Sequence, residues 1–365
     1  MTTNQPRVVI AMSGGVDSSV AAALLKEQGY QVIGIMLRLW SEPGKEESNR
    51  CCTPDAMRLA RRVAAQLEIP FYAVDVKEMF QNTVVADFIS GYAGGVTPNP
   101  CLICNRRIRF GYLLDRALAL GADYLATGHY ARLERDETGK TRLLRAVDRQ
   151  KDQSYVLHVL NQNQLKHALF PIGIYPKPEV RRLARVFNLQ VAERAESQDL
   201  CFLAGEDYRR FLHRTAPQVA VPGPIMTTRG EILGTHQGLA FYTIGQRKGL
   251  GIYASSPLYV LDKNVQHNAL IVGTAEELGR RKFKTEKINW IQGNAPLQPL
   301  RGQVKIRYRA LDAWAEITPL PGNNAQIILD EPLRDITPGQ AAVFYDDEEC
   351  LGGGIISIER EHQTS

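Results

Sequence analysis

The chain has 365 residues, 44% of them hydrophobic and 23% charged, which is enough to bury more than one core and predicts two or three domains. A net charge of +5 favours a polyanionic partner without identifying one. Residues 1–6 lack an apolar h-region and no run approaches the roughly 18 apolar residues of a membrane span, so the reading expects neither export nor insertion, and a cytoplasmic protein.

Residues 7–12 are short, apolar and β-branched, the pattern of a buried strand, and residues 20–26, rich in Ala and Leu, predict the helix that follows. Between them lies Ser13-Gly14-Gly15-Val16-Asp17-Ser18-Ser19. Glycines at a strand-to-helix turn let backbone N–H groups converge on an anion, and the new helix adds the positive end of its dipole. The serines supply hydroxyls. The Lys that closes a Walker A loop is missing, since Val16-Asp17 stands in its place, and an Asp beside phosphates implies a bridging divalent cation. A plain capped turn is the alternative. The heptapeptide resembles the PP-loop of the ATP pyrophosphatases, which cut ATP between the α- and β-phosphates. That resemblance implies adenylation of a substrate oxygen with pyrophosphate as leaving group.

Residues 32–37 predict a second strand and residues 71–76 a third; between them Thr53-Pro54-Asp55 opens a helix with an N-cap, a Pro at N1 and an early acid. Residues 124–127 predict a fourth strand. Strands separated by helices imply parallel pairing and a ligand site at the strands' carboxyl ends, where the Gly-rich loop and Gly128-His129 fall. Pro178-Glu179 starts a further helix, running to about residue 189, with Arg181, Arg182 and Arg185 spaced to share a face. The expected organisation is an α/β catalytic domain with a parallel sheet over 1–204 and a small central domain, dense in Gly, Pro and Thr, over 205–283. A C-terminal β-barrel of short alternating strands follows over 284–365.

Six cysteines, Cys51, Cys52, Cys101, Cys104, Cys201 and Cys350, are too few and scattered for a secreted disulfide scaffold, so reduced thiols are expected. In Thr97-Pro98-Asn99-Pro100-Cys101-Leu102-Ile103-Cys104-Asn105 the two prolines predict an extended loop holding Asn99 and Cys101. Arg106, Arg107 and Arg109 follow. Guanidinium groups around a Cys104 near a helix start would lower its pKa and favour the nucleophilic thiolate. A zinc half-site lacking its second ligand pair, a thioredoxin-like redox pair and plain core thiols are the competing readings of this CxxC. Cys201, before Phe202-Leu203, reads by itself as buried rather than reactive.

Val304-Lys305-Ile306-Arg307-Tyr308-Arg309 alternates, which predicts a strand with Lys305, Arg307 and Arg309 on one face. Such a stripe suits a phosphate backbone, or an edge strand made basic against aggregation.

The phosphate loop, Cys51-Cys52 before Thr53-Pro54-Asp55, Asn99 to Asn105, Ala126-Thr127-Gly128-His129-Tyr130 and Lys151-Asp152-Gln153-Ser154-Tyr155 occur in this order. Asp199-Leu200-Cys201-Phe202, Ile244-Gly245-Gln246-Arg247-Lys248-Gly249 and Leu351-Gly352-Gly353-Gly354 complete the set. Together they closely resemble the MnmA family of bacterial tRNA-specific 2-thiouridylases, over essentially the whole chain. The resemblance implies a two-stage reaction on the wobble uridine of tRNAs for Lys, Glu and Gln. ATP, with Mg2+, activates the base first, the C2 carbonyl oxygen attacking the α-phosphorus as pyrophosphate departs. Sulfur follows from a persulfide on Cys201, loaded by a cysteine desulfurase or a sulfur-relay protein, with Cys104 as the cooperating nucleophile. The two cysteines then form a disulfide once sulfur has left.

Carried over by position, the nucleotide falls on Ala11, Met12, Ser13, Gly14, Gly15, Val16, Asp17, Ser18, Leu37 and Gly128. The target base lies against Asn99, Pro100 and Cys101, and the tRNA anticodon stem-loop meets His129, Lys151, Asp152, Gln153, Arg307, Tyr308 and Gln340. A wobble base must be splayed out of its loop, so stacking and edge contacts in a pocket are expected. Some relatives carry an Asp, credited with proton transfer, where this chain has Cys101; a thiol suits that task poorly. A PP-loop synthetase acting on a small molecule would explain the nucleotide loop but leave the paired cysteines and the C-terminal domain unused. A non-enzymatic metal or redox module is the third reading.

Overall fold

A computed structural model describes residues 5–42, 44, 53–195, 200–203 and 205–357; the Cys51-Cys52 doublet and Asp199 of the Cys201 motif lie outside the described residues. The first apolar run forms β1 (Arg7–Ala11), and α1 (Val16–Glu27) begins inside the phosphate loop, four residues before the Ala- and Leu-rich stretch that predicted it. β2 (Gln31–Arg38), α2 (Pro54–Gln66), β3 (Phe71–Asp75) and β4 (Tyr124–Thr127) follow. At α2, Thr53 is the N-cap, its hydroxyl accepting the Ala56 N–H at 3.0 Å, and Pro54 takes the first helical position.

After β4 the chain leaves as a hairpin of β5 (Ala131–Arg135) and β6 (Thr141–Arg145), then returns as the two-residue β7 (Ala168–Leu169). The parallel sheet has the order β3-β2-β1-β4-β7. Val8 and Ile10 of β1 face one apolar cluster with α1 and α2, while Val9 faces another, so the strand is covered on both sides and reads as an unbroken apolar run. Strand order runs one way from β1 to β3 and the other way from β4 to β7. This reversal opens a crevice at the carboxyl ends of β1 and β4.

A helix starting at α3 (Pro100–Ile103) continues in wide, π-type turns over Cys104–Leu113 and ends as Leu114–Ala119. α4 (Lys177–Val186) packs Val180 and Ala184 into the cluster shared with α1. The central region carries α5 (Tyr208–Thr215) and a mixed sheet of β8 (Gly223–Thr227), β9 (Ile232–His236), β10 (Tyr259–Asn264) and β11 (Ala269–Gly273), in the order β10-β11-β8-β9.

The last six strands are β12 (Arg280–Trp290), β13 (Leu300–Lys305), β14 (Ala313–Leu320), β15 (Asn324–Leu333), β16 (Ala341–Asp346) and β17 (Glu349–Ile356). They pair antiparallel in the order β12-β15-β14-β13-β16-β17, and β17 pairs again with β12 to close a barrel around Phe283, Ile317, Ile327 and Phe344. β6 is hydrogen-bonded to β17, with Leu144 opposite Glu349 and Leu143 opposite Cys350. A hairpin from the first 204 residues thus extends the barrel's sheet. Arg145 secures the join: it lies 3.5 Å over the Tyr345 ring and pairs with Asp312 at 2.9 Å.

The cationic stripe expected over residues 304–309 is not a strand face. β13 ends at Lys305: its ladder to β14 stops at Val304 and its ladder to β16 at Lys305, which is buried. Arg307 instead turns back onto the Thr337 hydroxyl and the Ile244 carbonyl, with Asp335 at 3.6 Å. Among the described residues no helix is long and apolar enough to cross a membrane.

Candidate active site

A cleft of 1110 Å³ occupies the crevice at the carboxyl ends of β1 and β4. That exceeds what one small ligand ordinarily fills. Of the residues assigned to the nucleotide, Ala11, Met12, Ser13, Gly15, Val16, Asp17, Ser18, Leu37 and Gly128 line it. Gly14 does not: it forms the turn behind, at φ +70°, where a Cβ would stand 2.4 Å from the Ala56 carbonyl oxygen of α2. At Gly128 a Cβ would stand 2.6 Å from the Ser18 nitrogen, so β4 exits directly against the first turn of α1. The serines brace the loop. Ser13 N–H donates to Ser18 Oγ at 3.1 Å, and Ser19 Oγ donates to the Gly15 carbonyl at 2.8 Å. A glycine turn pinned at both ends, opening on a helix start, fits a triphosphate.

The cation missing from the loop arrives from far along the chain. Lys177 Nζ lies 2.7 Å from Asp17 Oδ1, which also accepts the Tyr130 hydroxyl at 2.8 Å. Lys177 lines the cleft with its side chain almost wholly buried, and its backbone N–H is anchored on Asp148 at 2.9 Å. Sequence reasoning missed this residue. The available signal was its position: a Lys at the first residue of a helix sits at the positive end of the dipole, where a cation is locally unfavourable, so another partner must justify it. Asp17 gives a divalent cation one carboxylate, shared with Lys177; phosphate oxygens would have to complete such a site.

The opposite wall comes from residues 97–105, and its conformation differs from the extended loop expected. Asn99 is an N-cap whose Oδ1 accepts the Cys101 N–H at 3.2 Å, and Pro100 is the first helical residue, a position that needs no N–H donor. Cys101 is therefore exposed on the first turn of a helix and lines the cleft beside Asn99 and Pro100. Cys104 points inward. It is buried in an apolar cluster with Phe88, Phe202 and Phe211, and the half-buried Cys201 packs against that same cluster. The aromatic rings meet edge to face, Phe88 and Phe202 at 5.1 Å and Phe202 and Phe211 at 5.6 Å. Both thiols thus belong to the apolar cluster whose members Phe88, Tyr92 and Leu203 line the cleft. Aromatic rings make up part of their surroundings. Arg106 and Arg107 are exposed, and Arg109 donates to Asn105 at 3.0 Å and reaches His129 at 3.3 Å.

His129 lines the cleft as a neutral ring. Arg109 can only donate, so Nε2 accepts and Nδ1–H donates to Thr127 Oγ1 at 2.7 Å. Burial, followed by the Arg109 charge, pulls its pKa down to about 3. Of the Lys151-Asp152-Gln153 turn, Lys151 and Gln153 line the cleft but Asp152 faces the interior. Asp152 Oδ1 accepts the Ala146 and Ser154 N–H groups at 2.9 and 3.2 Å, and Oδ2 accepts the Ser154 hydroxyl at 2.8 Å. Its expected place on a tRNA surface is therefore taken by an internal one: short turns need such acceptors for their own N–H groups. Arg307 is likewise off the cleft wall, whereas Tyr308 and Gln340 are on it. The Gln340 side-chain amide donates to the Thr97 carbonyl at 2.9 Å, and the Thr97 N–H donates to the Pro338 carbonyl at 2.8 Å, so the barrel holds the Asn99 turn in place.

The sheet, the loop and the barrel together define a PP-loop protein of the α/β nucleotide-binding class with a β-barrel appended. Residues 6–205 match the family described as tRNA methyl transferase HUP domain, 209–274 the tRNA methyl transferase PRC-barrel domain, and 280–356 the aminomethyltransferase beta-barrel domain. The tRNA-specific 2-thiouridylase MnmA of Magnetococcus marinus is 48% identical over 97% of this chain and 99% of its own, and that of Moorella thermoacetica 49% identical over 95% and 98%. The chain belongs to the MnmA family of tRNA-specific 2-thiouridylases. Among solved structures, NMN synthetase from Francisella tularensis covers 53% of this chain and 67% of its own at 16% identity and a TM-score of 0.34, too slight a likeness to carry an argument.

Proposed function

We propose that this chain is a tRNA-uridine 2-sulfurtransferase that activates the C2 carbonyl of the wobble uridine with ATP and then replaces its oxygen with sulfur. One observation carries the reading: a single cleft joins a phosphate loop to the Asn99-Pro100-Cys101 turn, with Cys104 and Cys201 sharing an apolar cluster that helps to line it. ATP, with Mg2+, supplies the electrophilic phosphorus. The loop from Ser13 to Ser18 and the Lys177 ammonium hold the phosphates and take up the charge that develops around the α-phosphorus. Asn99 and Pro100 bound the space for the base, and Tyr308 offers it an aromatic neighbour.

Sulfur transfer balances with the thiols alone. The terminal sulfur of a Cys201 persulfide attacks C2, and AMP departs with the former oxygen. A Cys104 thiolate then attacks Cys201 Sγ, which breaks the S–S bond, leaves the thiocarbonyl on the base and joins the two cysteines as a disulfide. An external reductant resets the pair, and a cysteine desulfurase or relay protein reloads it. Lys151, Gln153 and the barrel are the expected tRNA-facing elements, and the domains are proposed to divide near residues 204 and 283.

Formation of AMP and pyrophosphate with and without tRNA tests the first stage: tRNA-dependent turnover is expected, and turnover indifferent to tRNA would favour a small-molecule synthetase. Cys104→Ser and Cys201→Ser should each abolish 2-thiouridine while ATP still binds. Normal thiouridine in the Cys201 variant would overturn the sulfur-carrier role.

A further inference from the structure

Arg194 follows α4 and projects onto the phosphate loop. A guanidinium N–H donates to the Gly14 carbonyl, and the side chain lines the cleft. It is half-buried, and among the described residues no carboxylate pairs with it. The adjacent acid, Glu193, is engaged outside the cleft by Arg185 at 2.9 Å. Among the described residues, one neutral carbonyl leaves four of the five guanidinium donors and the charge uncompensated at the edge of a phosphate cradle.

The backbone that carries Arg194 is itself fixed. Arg181 donates to the carbonyls of Ala192 and Arg194, at 2.8 and 3.3 Å. Arg181 stands one turn beyond Lys177 on α4, so one helix face serves the loop twice: Lys177 directly, at Asp17, and Arg181 by presenting Arg194 at Gly14.

We propose that Arg194 binds the β- and γ-phosphates of ATP, the pyrophosphate leaving group, from the Gly14 side of the loop. The assignment to that half follows from the two ends of the cradle. Gly128 abuts Asp17 and Ser18, and from it His129, Arg109 and Asn105 lead by hydrogen bonds to the helix that begins at Pro100. That is the acceptor's side. Gly14 lies at the other end, against α2, where an in-line displacement puts its leaving group. A planar fork suits two phosphate oxygens better than an ammonium does. The inference rests on the PP-loop reading of the site.

Calorimetric titration of the full chain with ATP, inorganic pyrophosphate and adenosine, for the wild type, Arg194→Gln and Arg194→Lys, tests it. The Gln variant is expected to bind ATP and pyrophosphate about 10- to 100-fold more weakly with adenosine unchanged, and Lys to recover part of the loss. Pyrophosphate binding equal to wild type in Arg194→Gln would reduce Arg194 to a tether of Gly14 and overturn the proposal. So would an equal loss for adenosine, which would mean a collapsed cleft. A wild-type chain that binds neither ATP nor pyrophosphate would instead refute the PP-loop reading itself.

Discussion

Asp17 and Lys177 meet at 2.7 Å across 160 residues of chain, and Tyr130 closes the group by donating to the same carboxylate oxygen. A loop with an aspartate where a Walker A loop has its lysine meets a lysine from the start of another helix. Asp17→Asn and Lys177→Met are each expected to slow tRNA-dependent pyrophosphate release by about 100-fold or more. Because the two side chains act as one unit, the double variant should be little worse than the slower single one. Pyrophosphate release at the wild-type rate in Asp17→Asn would remove the carboxylate from the mechanism.

Gln340 reaches the cleft from the barrel but spends its amide on the Thr97 carbonyl. Gln340→Ala should therefore loosen the Asn99 turn without touching the phosphate loop. The expected outcome is a roughly tenfold loss in kcat/KM for tRNA with ATP affinity intact, the scale of one lost hydrogen bond and its positioning effect. Filter binding of tRNA alongside ATP titration separates this from a general loss of fold.

Asp152 satisfies three donors in the protein interior. Asp152→Ala would orphan them together and should cost on the order of 3 kcal/mol, lowering the melting temperature by about 5 °C. A surface residue contacting RNA would behave oppositely, with weaker tRNA binding at an unchanged melting temperature.

The buried His129 titrates near 3 when folded and near 6.5 when unfolded. Between these values the unfolded chain binds more protons, so its contribution to stability is complete above about pH 6.5 and is lost as pH falls towards 3. His158, drawn down to about 4 mainly by burial, acts in the same direction. His129→Gln should flatten the fall in melting temperature between about pH 7 and 5, at about 1.4 kcal/mol per pH unit below 6.5. Parallel wild-type and variant profiles would count against a neutral buried ring.

Much of the first domain was legible because its signals are local. The apolar run of β1, the glycine turn and the Thr53-Pro54 cap each depend on residues within a few positions of one another. What escaped depends on distant partners. The alternation over residues 304–309 has a strand's period, yet the ladders on its two sides stop at Val304 and Lys305. Pro100 reads as a helix breaker unless Asn99 is seen to cap the turn. Arg109 looks like a neighbour of Cys104 in sequence, but on the helix it faces Asn105 and His129. Lys177 was hidden because nothing adjacent to it announces Asp17.

The pairing of β6 with β17 also bears on how the molecule comes apart. Leu143 and Leu144 are hydrogen-bonded into the barrel's sheet, while the buried Arg145 inserts its charge over Tyr345 and against Asp312. Removing the barrel would strip a strand edge bare and expose the apolar cluster that Leu143 and Tyr155 share with Val343 and Tyr345, so the first domain should not survive truncation as a soluble fragment. Heating should melt the two as one cooperative block rather than in sequence, and proteases should find no durable intermediate between the intact chain and small peptides.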